Sequence, residues 1–198
     1  MLSGTDRKEE ILRVSQKLFG EKGYLSTSVR DIARELGIEP PSLYSHVNSK
    51  EDILEQICFD MAEKFRLAIE EVNDIYFDAP QKLKLMVHAH IQILTSNPDA
   101  AAVFVREWRH LKKSRLTEFV ALRDQYERGI RAVLQTGVDE EKFNLVDVKF
   151  AALTILSTLN WIVEWYDTKG ALTSHQVAER LYHFILTGLR KDVAAGLN

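Results

Sequence analysis

Apolar residues recur along this chain at the three- and four-residue spacing of amphipathic helices, and no segment alternates strictly as a half-buried strand would. The first such pattern predicts a helix over residues 5–22, with Gly23 suited to the left-handed residue that ends it. Its buried face would consist of Ile11, Val14, Ser15, Leu18 and Phe19. Because comparable patterns continue to the end of the chain, we predict an all-α protein of about nine helices.

Two short helices separated by a glycine follow the first. Ser28 and Asp31 have the spacing of a capping box, in which each side chain accepts a hydrogen bond from the backbone amide of the other residue. Gly37 ends this second helix, and Pro40 and Pro41 suit the first turn of a third, where amide hydrogens lack helical partners. This arrangement is typical of a helix-turn-helix that binds DNA, although many helical bundles also contain short helices.

The rest of the chain is predicted to form longer helices, the last two over about 144–167 and 173–190. Residues 150–163 are uncharged around the whole helix circumference, so this helix needs neighbours on all sides. Because the final helix has an apolar stripe of its own, we predict that the pair forms half of an intermolecular four-helix bundle in a homodimer. These boundaries give a helix-turn-helix domain at 1–50 and a larger ligand-binding and dimerisation domain at 51–198.

Composition and charge narrow the class of protein. The longest uncharged stretch is too short for a membrane helix, which needs about 20 apolar residues. Charged residues crowd the first ten positions, unlike a secretion signal, so we expect a cytoplasmic protein. The net charge is −3, made up of +1 over residues 1–50 and −4 over 51–198, which weakly favours DNA binding by the first segment. Cys58, the single cysteine, is expected to be a buried hydrophobic residue.

No catalytic, cofactor or metal site is predicted. His88 and His90 are two residues apart and face different directions, whereas a helical metal pair needs a spacing of four. The sequence has no glycine-rich phosphate loop and no nucleophile elbow.

The short helices contain a specific set of residues: Gly23 and Tyr24, then 27–33 (TSVRDIA), 36–38 (LGI), 42–47 (SLYSHV) and 49–52 (SKED). This set resembles the TetR family of transcription regulators. The resemblance implies a homodimeric repressor that binds double-stranded operator DNA and is released by a small-molecule effector. It implies phosphate contacts from Thr27, Ser28, Tyr44, His46 and Lys50. It implies base contacts from the start of the third helix, at Glu39, Pro40, Pro41, Ser42 and Ser45.

The third helix departs from the common family pattern. Glu39 stands where a serine cap is frequent, and Val47 stands where phenylalanine is frequent. Because this helix contains no arginine, we expect thymine methyl contacts or DNA shape to contribute to specificity. Two of the phosphate contacts have alternatives, since Tyr44 could fill the space between the first and third helices and His46 could be an ordinary surface histidine.

A second resemblance concerns the carboxyl-terminal part of the chain. Residues 161–166 (WIVEWY), Gly170, 172–173, 178–179 and 186–189 (LTGL) are similar to a TetR branch that responds to acyl-coenzyme A thioesters. That branch typically controls fatty-acid, aromatic-acid or sterol degradation. The candidate ligand residues are aromatic or cationic, and they are Arg106, Trp108, Arg109, Arg123, Trp161 and Trp165. The alternatives are that the tryptophans pack in the core or the dimer and that the arginines form a solvated face.

Two other functions remain open from the sequence alone. The same DNA-binding head could respond to a cationic drug or another hydrophobic effector, for which acidic residues such as Glu107 or Glu164 would matter. A small helical enzyme acting on acyl thioesters would instead show turnover rather than saturable binding without a product.

Overall fold

A computed structural model describes residues 4–190, with side chains from residue 7 onward. Within that range the chain forms α1 (Gly4–Lys22), α2 (Val29–Glu35), α3 (Pro40–Leu43), α4 (Lys50–Asp74), α5 (Ala79–Ser96), α6 (Pro98–Arg106), α7 (Lys113–Asp139), α8 (Val148–Asn160), α9 (Ile162–Trp165) and α10 (Ser174–Leu189), with a 3₁₀ turn at Trp108–His110. The only β-type pairing in these residues is an isolated bridge between Phe143 and Arg190. The predicted all-α fold is therefore confirmed.

The local signals of the first three helices act as the sequence predicts. Gly23 and Gly37 have φ values of +86° and +64°, so each adopts the left-handed conformation that ends a helix. The capping box at α2 is formed by Ser28 and Asp31. At α4 the cap is Ser49, whose Oγ accepts a hydrogen bond from the Asp52 amide at 3.1 Å.

The helix predicted over 144–167 is interrupted at Trp161. This residue keeps a helical conformation, with φ −61° and ψ −15°, but separates α8 from the four-residue α9. Counting α8 and α9 as one helix gives the predicted number of nine across residues 4–190.

The chain divides into two compact units that do not follow the predicted boundary at residue 50. The first contains residues up to 63 together with 97–121, and the second contains 64–96 together with 122 onward. Residues 97–121 belong to the first unit because α6 packs against α1 and the side-chain amide of Asn97 donates to Gln16 Oε1 at 3.0 Å. Residue 50 therefore marks a boundary in the sequence pattern but not a boundary between the two packed units.

In the second unit α5 packs along α10 and also contacts α8 and α9. A close approach occurs where α7 meets the segment after it, since a Cβ atom added at Gly137 would overlap the ring of buried Phe143. Cys58, in the first unit, is fully buried as expected. No helix in the described part of the chain is both long and apolar enough to cross a membrane.

Candidate functional site

The exposed side of α3 is the candidate surface for contacts with DNA bases. Leu43 is fully buried and anchors the helix from below, assisted by buried Val47 just after it. Glu39 caps the helix through its backbone only, without a side-chain hydrogen bond, as its residue type predicts. The residues that face outward are Pro41, Ser42, Tyr44 and Ser45, which we call the α3 surface.

The α3 surface is small and carries no formal charge. Ser45 lies just after α3, and its hydroxyl donates to the Ser42 carbonyl at 2.7 Å, so this serine is partly engaged by the backbone of the helix. The Tyr44 side chain is 52% exposed, which leaves much of its ring accessible to a partner. Pro40 and His46 are half-buried beside this surface. The contacts of these residues with DNA stay predictions.

The start of α2 is largely satisfied within the chain. Thr27 is buried, its hydroxyl donates to the Gly23 carbonyl at 2.9 Å, and its amide donates to the Tyr24 carbonyl at 3.3 Å. The Ser28 amide donates to Asp31 Oδ2 at 2.9 Å. The backbone amides of Thr27 and Ser28, two residues for which the family resemblance implies phosphate contacts, therefore already have partners. A phosphate at this helix start would have to use the next amides along the helix, at Val29 and Arg30.

Asp31 places a negative charge at the same helix start. Hydrogen bonds from Ser28, first from its side chain and then from its backbone, lower the pKa of the Asp31 carboxyl. The group is therefore ionised throughout the neutral pH range. It stabilises the positive end of the α2 dipole but weakens the attraction of that end for phosphate.

Lys50 has a different environment from the one the sequence predicts. Its Nζ atom donates to the carbonyls of Tyr24 and Thr27, each at 2.9 Å, and lies 4.0 Å from the centre of the Tyr24 ring. These contacts join the first residue of α4 to the turn between α1 and α2. An ammonium group has three donors, so one remains for the predicted phosphate contact.

The second unit contains a buried polar pair that the sequence analysis missed. His90 Nδ1 lies 3.0 Å from the Tyr126 hydroxyl, and both side chains are buried beside Phe65. Burial lowers the pKa of His90 to about 3, against a weaker opposing effect of Asn160, and burial raises the pKa of Tyr126. Both groups are therefore neutral at physiological pH. Such a pair can donate to or accept from an uncharged polar group of a ligand.

The six predicted ligand residues are divided between the two units. Arg106, Trp108 and Arg109 belong to the first unit, and Arg123, Trp161 and Trp165 belong to the second. The Arg109 guanidinium lies 4.4 Å from the centre of the Trp108 ring, which is the predicted combination of an aromatic wall and a cation. Trp161 and Trp165 are 64% and 48% exposed, so neither packs in the core of a single chain. Their participation in one ligand site stays a prediction.

One face of α8 and α10 is apolar and open. The helix predicted to be buried on all sides has a buried face formed by Ala152, Ile155 and Leu159, but Phe150 on the other side is 70% exposed. Phe184 of α10 is 73% exposed. Phe150 and Phe184 border a groove of about 640 Å³. The groove is lined by Leu145, Phe150, Ala151, Thr154, Ile155, Thr158, His183, Phe184, Ile185, Thr187, Gly188 and Leu189. We call it the α8/α10 groove.

A packing helix, two short helices around a glycine turn and a larger helical unit define a transcription regulator of the helix-turn-helix class. Residues 11–57 match the family described as bacterial regulatory proteins, tetR family, and residues 76–189 match the tetracyclin repressor-like C-terminal domain. The chain belongs to the TetR family of DNA-binding transcriptional repressors, which are regulators rather than enzymes. Members of this family bind operator DNA and small effectors.

Similar proteins support the assignment over nearly the whole chain. The HTH-type transcriptional repressor KstR2 of Rhodococcus jostii is 29% identical over 185 residues, or 92% of this chain and 91% of that protein. The structure of the ketosteroid transcriptional regulator KstR2 of Mycobacterium tuberculosis aligns with a TM-score of 0.90 at 25% identity, covering 97% of this chain and 98% of that one. The regulator PfmR of Thermus thermophilus aligns with a TM-score of 0.82 at 34% identity, covering 91% and 99%.

Proposed function

We propose that this chain is a ligand-released repressor that binds a palindromic operator as a homodimer, with an acyl-coenzyme A as its effector. The observation that carries the proposal is the pairing of an outward-facing α3 surface with an open apolar α8/α10 groove. The first offers one DNA-binding head per chain, and the second offers the means to join two chains.

The α8/α10 groove favours a second copy of this chain as its occupant. Burying a large apolar side chain contributes roughly 1.5–3 kcal/mol, so exposed Phe150 and Phe184 in two copies would contribute on the order of 10 kcal/mol before the cost of association. In a two-fold dimer the same surface is used by both chains, so α8 and α10 of one protomer would face the same helices of its partner. The result is the four-helix bundle that the sequence predicts.

Dimerisation provides the operator geometry. Two recognition helices about 34 Å apart fit successive major grooves on one side of DNA, so the operator would be a palindrome in double-stranded DNA. Pro40, Pro41, Ser42 and Ser45 would meet the bases. Tyr44, His46 and Lys50 would contact phosphates, together with the α2 helix start that follows Thr27 and Ser28. Such a repressor would act in the cytoplasm, where the chromosome lies.

The effector acts by selecting a conformation. The effector must bind more tightly to a dimer whose two DNA-binding heads are not spaced to fit successive major grooves. DNA must then weaken effector binding by the same factor by which the effector weakens DNA binding. The proposed class of effector rests on the resemblance of residues 161–189 to acyl-coenzyme A-responsive regulators. It also rests on the likeness to a protein described as a ketosteroid regulator, which suggests a bulky apolar acyl group.

The effector needs an apolar environment with a few polar groups. The neutral His90–Tyr126 pair would hydrogen-bond an oxygen of the acyl group. In the second unit, Arg123 is the candidate cation for the coenzyme phosphates, and Trp161 and Trp165 would supply aromatic contacts. Arg106, Trp108 and Arg109 of the first unit are separate candidates of the same chemical kinds.

The first test is fluorescence anisotropy with DNA from the protein's own promoter region, titrated with a panel of short-chain, long-chain and steroid-derived acyl-coenzyme A thioesters. We expect tight binding that weakens with salt and is reversed by one class of thioester. Operator binding that no thioester reverses would support the repressor function and refute an acyl-coenzyme A as the effector. Free coenzyme A is the control for the acyl group.

The dimer is tested with Phe184→Asp, which places a charge in the α8/α10 groove. We expect a monomer by light scattering and a loss of operator affinity of about 100-fold or more, because one head makes only half of the contacts. Tyr76→Asp is the matched control, since Tyr76 is a fully exposed aromatic residue of the same unit outside the groove. A Phe184→Asp protein that stays dimeric would exclude this groove as the interface.

A further inference from the structure

His88, His175 and Glu179 form a cluster in the second unit. His88 lies on α5, whereas His175 and Glu179 lie on α10. One potential ligand atom from each of the three residues lies within 4.8 Å of the other two. Imidazole nitrogens and a carboxylate oxygen are ligands that zinc accepts in proteins.

The spacing on α10 explains why two of these groups face the same way. His175 and Glu179 are four residues apart, so they occupy neighbouring positions on one side of the helix. The third group comes from α5, which packs along α10. Val87 and Val177, neighbours of the cluster in sequence, are buried, so the two backbones that present the ligands are held by core packing.

The distances require only a small adjustment. Ligand atoms at about 2.0–2.1 Å from a tetrahedral zinc lie roughly 3.3 Å from one another. His88 Nε2 and Glu179 Oε1 are already 2.9 Å apart. The His88 Nε2 atom is also shielded from solvent and makes no hydrogen bond of suitable geometry among the described residues. His175 is exposed, and the centre of its ring lies 5.0 Å from the centre of the His88 ring in an edge-to-face contact.

Lys84 is the competitor for this position. Its Nζ atom lies 2.8 Å from Glu179 Oε1, so a metal ion would have to displace the ammonium from that oxygen.

We propose that His88, His175 and Glu179 bind a divalent transition-metal ion, with zinc as the best fit to the two nitrogens and one carboxylate. Three protein ligands leave one of four tetrahedral positions for water or an anion. His88 and His175 also border a cavity of about 470 Å³. The site shares no residue with the α3 surface or with the α8/α10 groove, so it adds a ligand-binding function that neither of those surfaces supplies.

The test is a titration of the metal-free, full-length, untagged protein with zinc chloride, using a chromophoric chelator as competitor. We expect one zinc ion per chain. Cobalt chloride should give a visible absorption band with the intensity of a four-coordinate site. The absence of saturable zinc binding would overturn the proposal, and so would a cobalt spectrum typical of six water ligands.

Two substitutions test proposed ligands, and a third tests the competing lysine. His175→Ala removes an exposed side chain, and Glu179→Gln keeps the shape of the side chain; each should weaken zinc binding by at least about 100-fold, since even outer-shell losses cost roughly 10–100-fold. Lys84→Met should tighten binding, because it removes the competing ammonium. His110→Ala is the matched control, since His110 also lies beside a carboxylate, with its Nε2 atom 3.6 Å from Glu107. Equal weakening by the control, or none by His175→Ala, would refute the assignment.

Discussion

The Lys50 side chain has two candidate roles, contact with a DNA phosphate and stabilisation of the fold, and one substitution distinguishes them. The sequence predicts a phosphate contact, whereas the structure places the ammonium on the carbonyls of Tyr24 and Thr27. Lys50→Met removes the charge and both hydrogen bonds while keeping a similar stem. The two roles differ in which quantity this substitution changes.

The expected effect is a loss of stability. Hydrogen bonds to charged groups contribute about 1.5–3 kcal/mol each, and the contact with the Tyr24 ring adds about 0.5–1 kcal/mol. Because the ammonium is only partly buried and lysine loses rotamer entropy on docking, we expect a net loss of about 2 kcal/mol in the free energy of unfolding. For a chain of this length that lowers Tm by roughly 4–8 °C.

Two assays read the two roles separately. Thermal unfolding at a fixed protein concentration measures the stability, and the slope of log operator affinity against log salt measures the number of phosphate contacts. If Lys50 serves only the fold, the slope is unchanged. If both copies in a dimer contact phosphate, the slope becomes shallower by about 1.8.

Lys8→Met is the control for the loss of one charge, because Lys8 is an exposed lysine of α1 in the same unit. A Lys50→Met protein with wild-type Tm and a shallower salt slope would refute the structural role that we infer.

Three further predictions concern other parts of the chain. Tyr44→Phe should weaken operator binding by about 1 kcal/mol through the loss of one hydrogen bond, with Tm unchanged because the side chain is half-exposed; unchanged affinity in the anisotropy assay would exclude the phosphate contact. His90 has a folded pKa of about 3 against an ordinary value of 6.5, so the unfolded chain binds more protons between these values and stability falls below about pH 6.5, by about 1 kcal/mol per pH unit. Urea unfolding at several pH values should show this slope, and His90→Gln should flatten it. Gly137→Ala should cost about 1–3 kcal/mol in the same assay by forcing a Cβ against Phe143, and a neutral effect would mean that this ring can move aside.

The features that the sequence predicts well depend on residues close together in the chain. Ser28 and Asp31 are three residues apart, and their capping box needs no other part of the protein. Gly23 and Gly37 likewise end their helices by their own backbone conformation. The family resemblance is concentrated in this same segment, where local geometry and DNA binding impose similar residues on many proteins.

The features that the sequence does not predict depend on distant partners. Lys50 meets carbonyls 26 and 23 residues away, and His90 meets a tyrosine 36 residues away. The spacing of His175 and Glu179 is visible in the sequence, but nothing there brings His88 to the same place. The packing of α6 on α1 is similarly non-local, and so the two compact units differ from the predicted domains.

The shortness of α3 has a consequence for the genetics of repression. Helices shorter than about 12 residues are marginal on their own in water, and α3 has only four residues. The shape of the α3 surface is therefore maintained by packing from below, through buried Leu43 and Val47. Substitutions at these inward positions should abolish repression without altering any side chain of the α3 surface. A screen for derepressed mutants would then find substitutions at the buried residues beneath α3 as well as on the α3 surface. Natural variation in operator preference would be confined to the few exposed residues that do not pack beneath the helix.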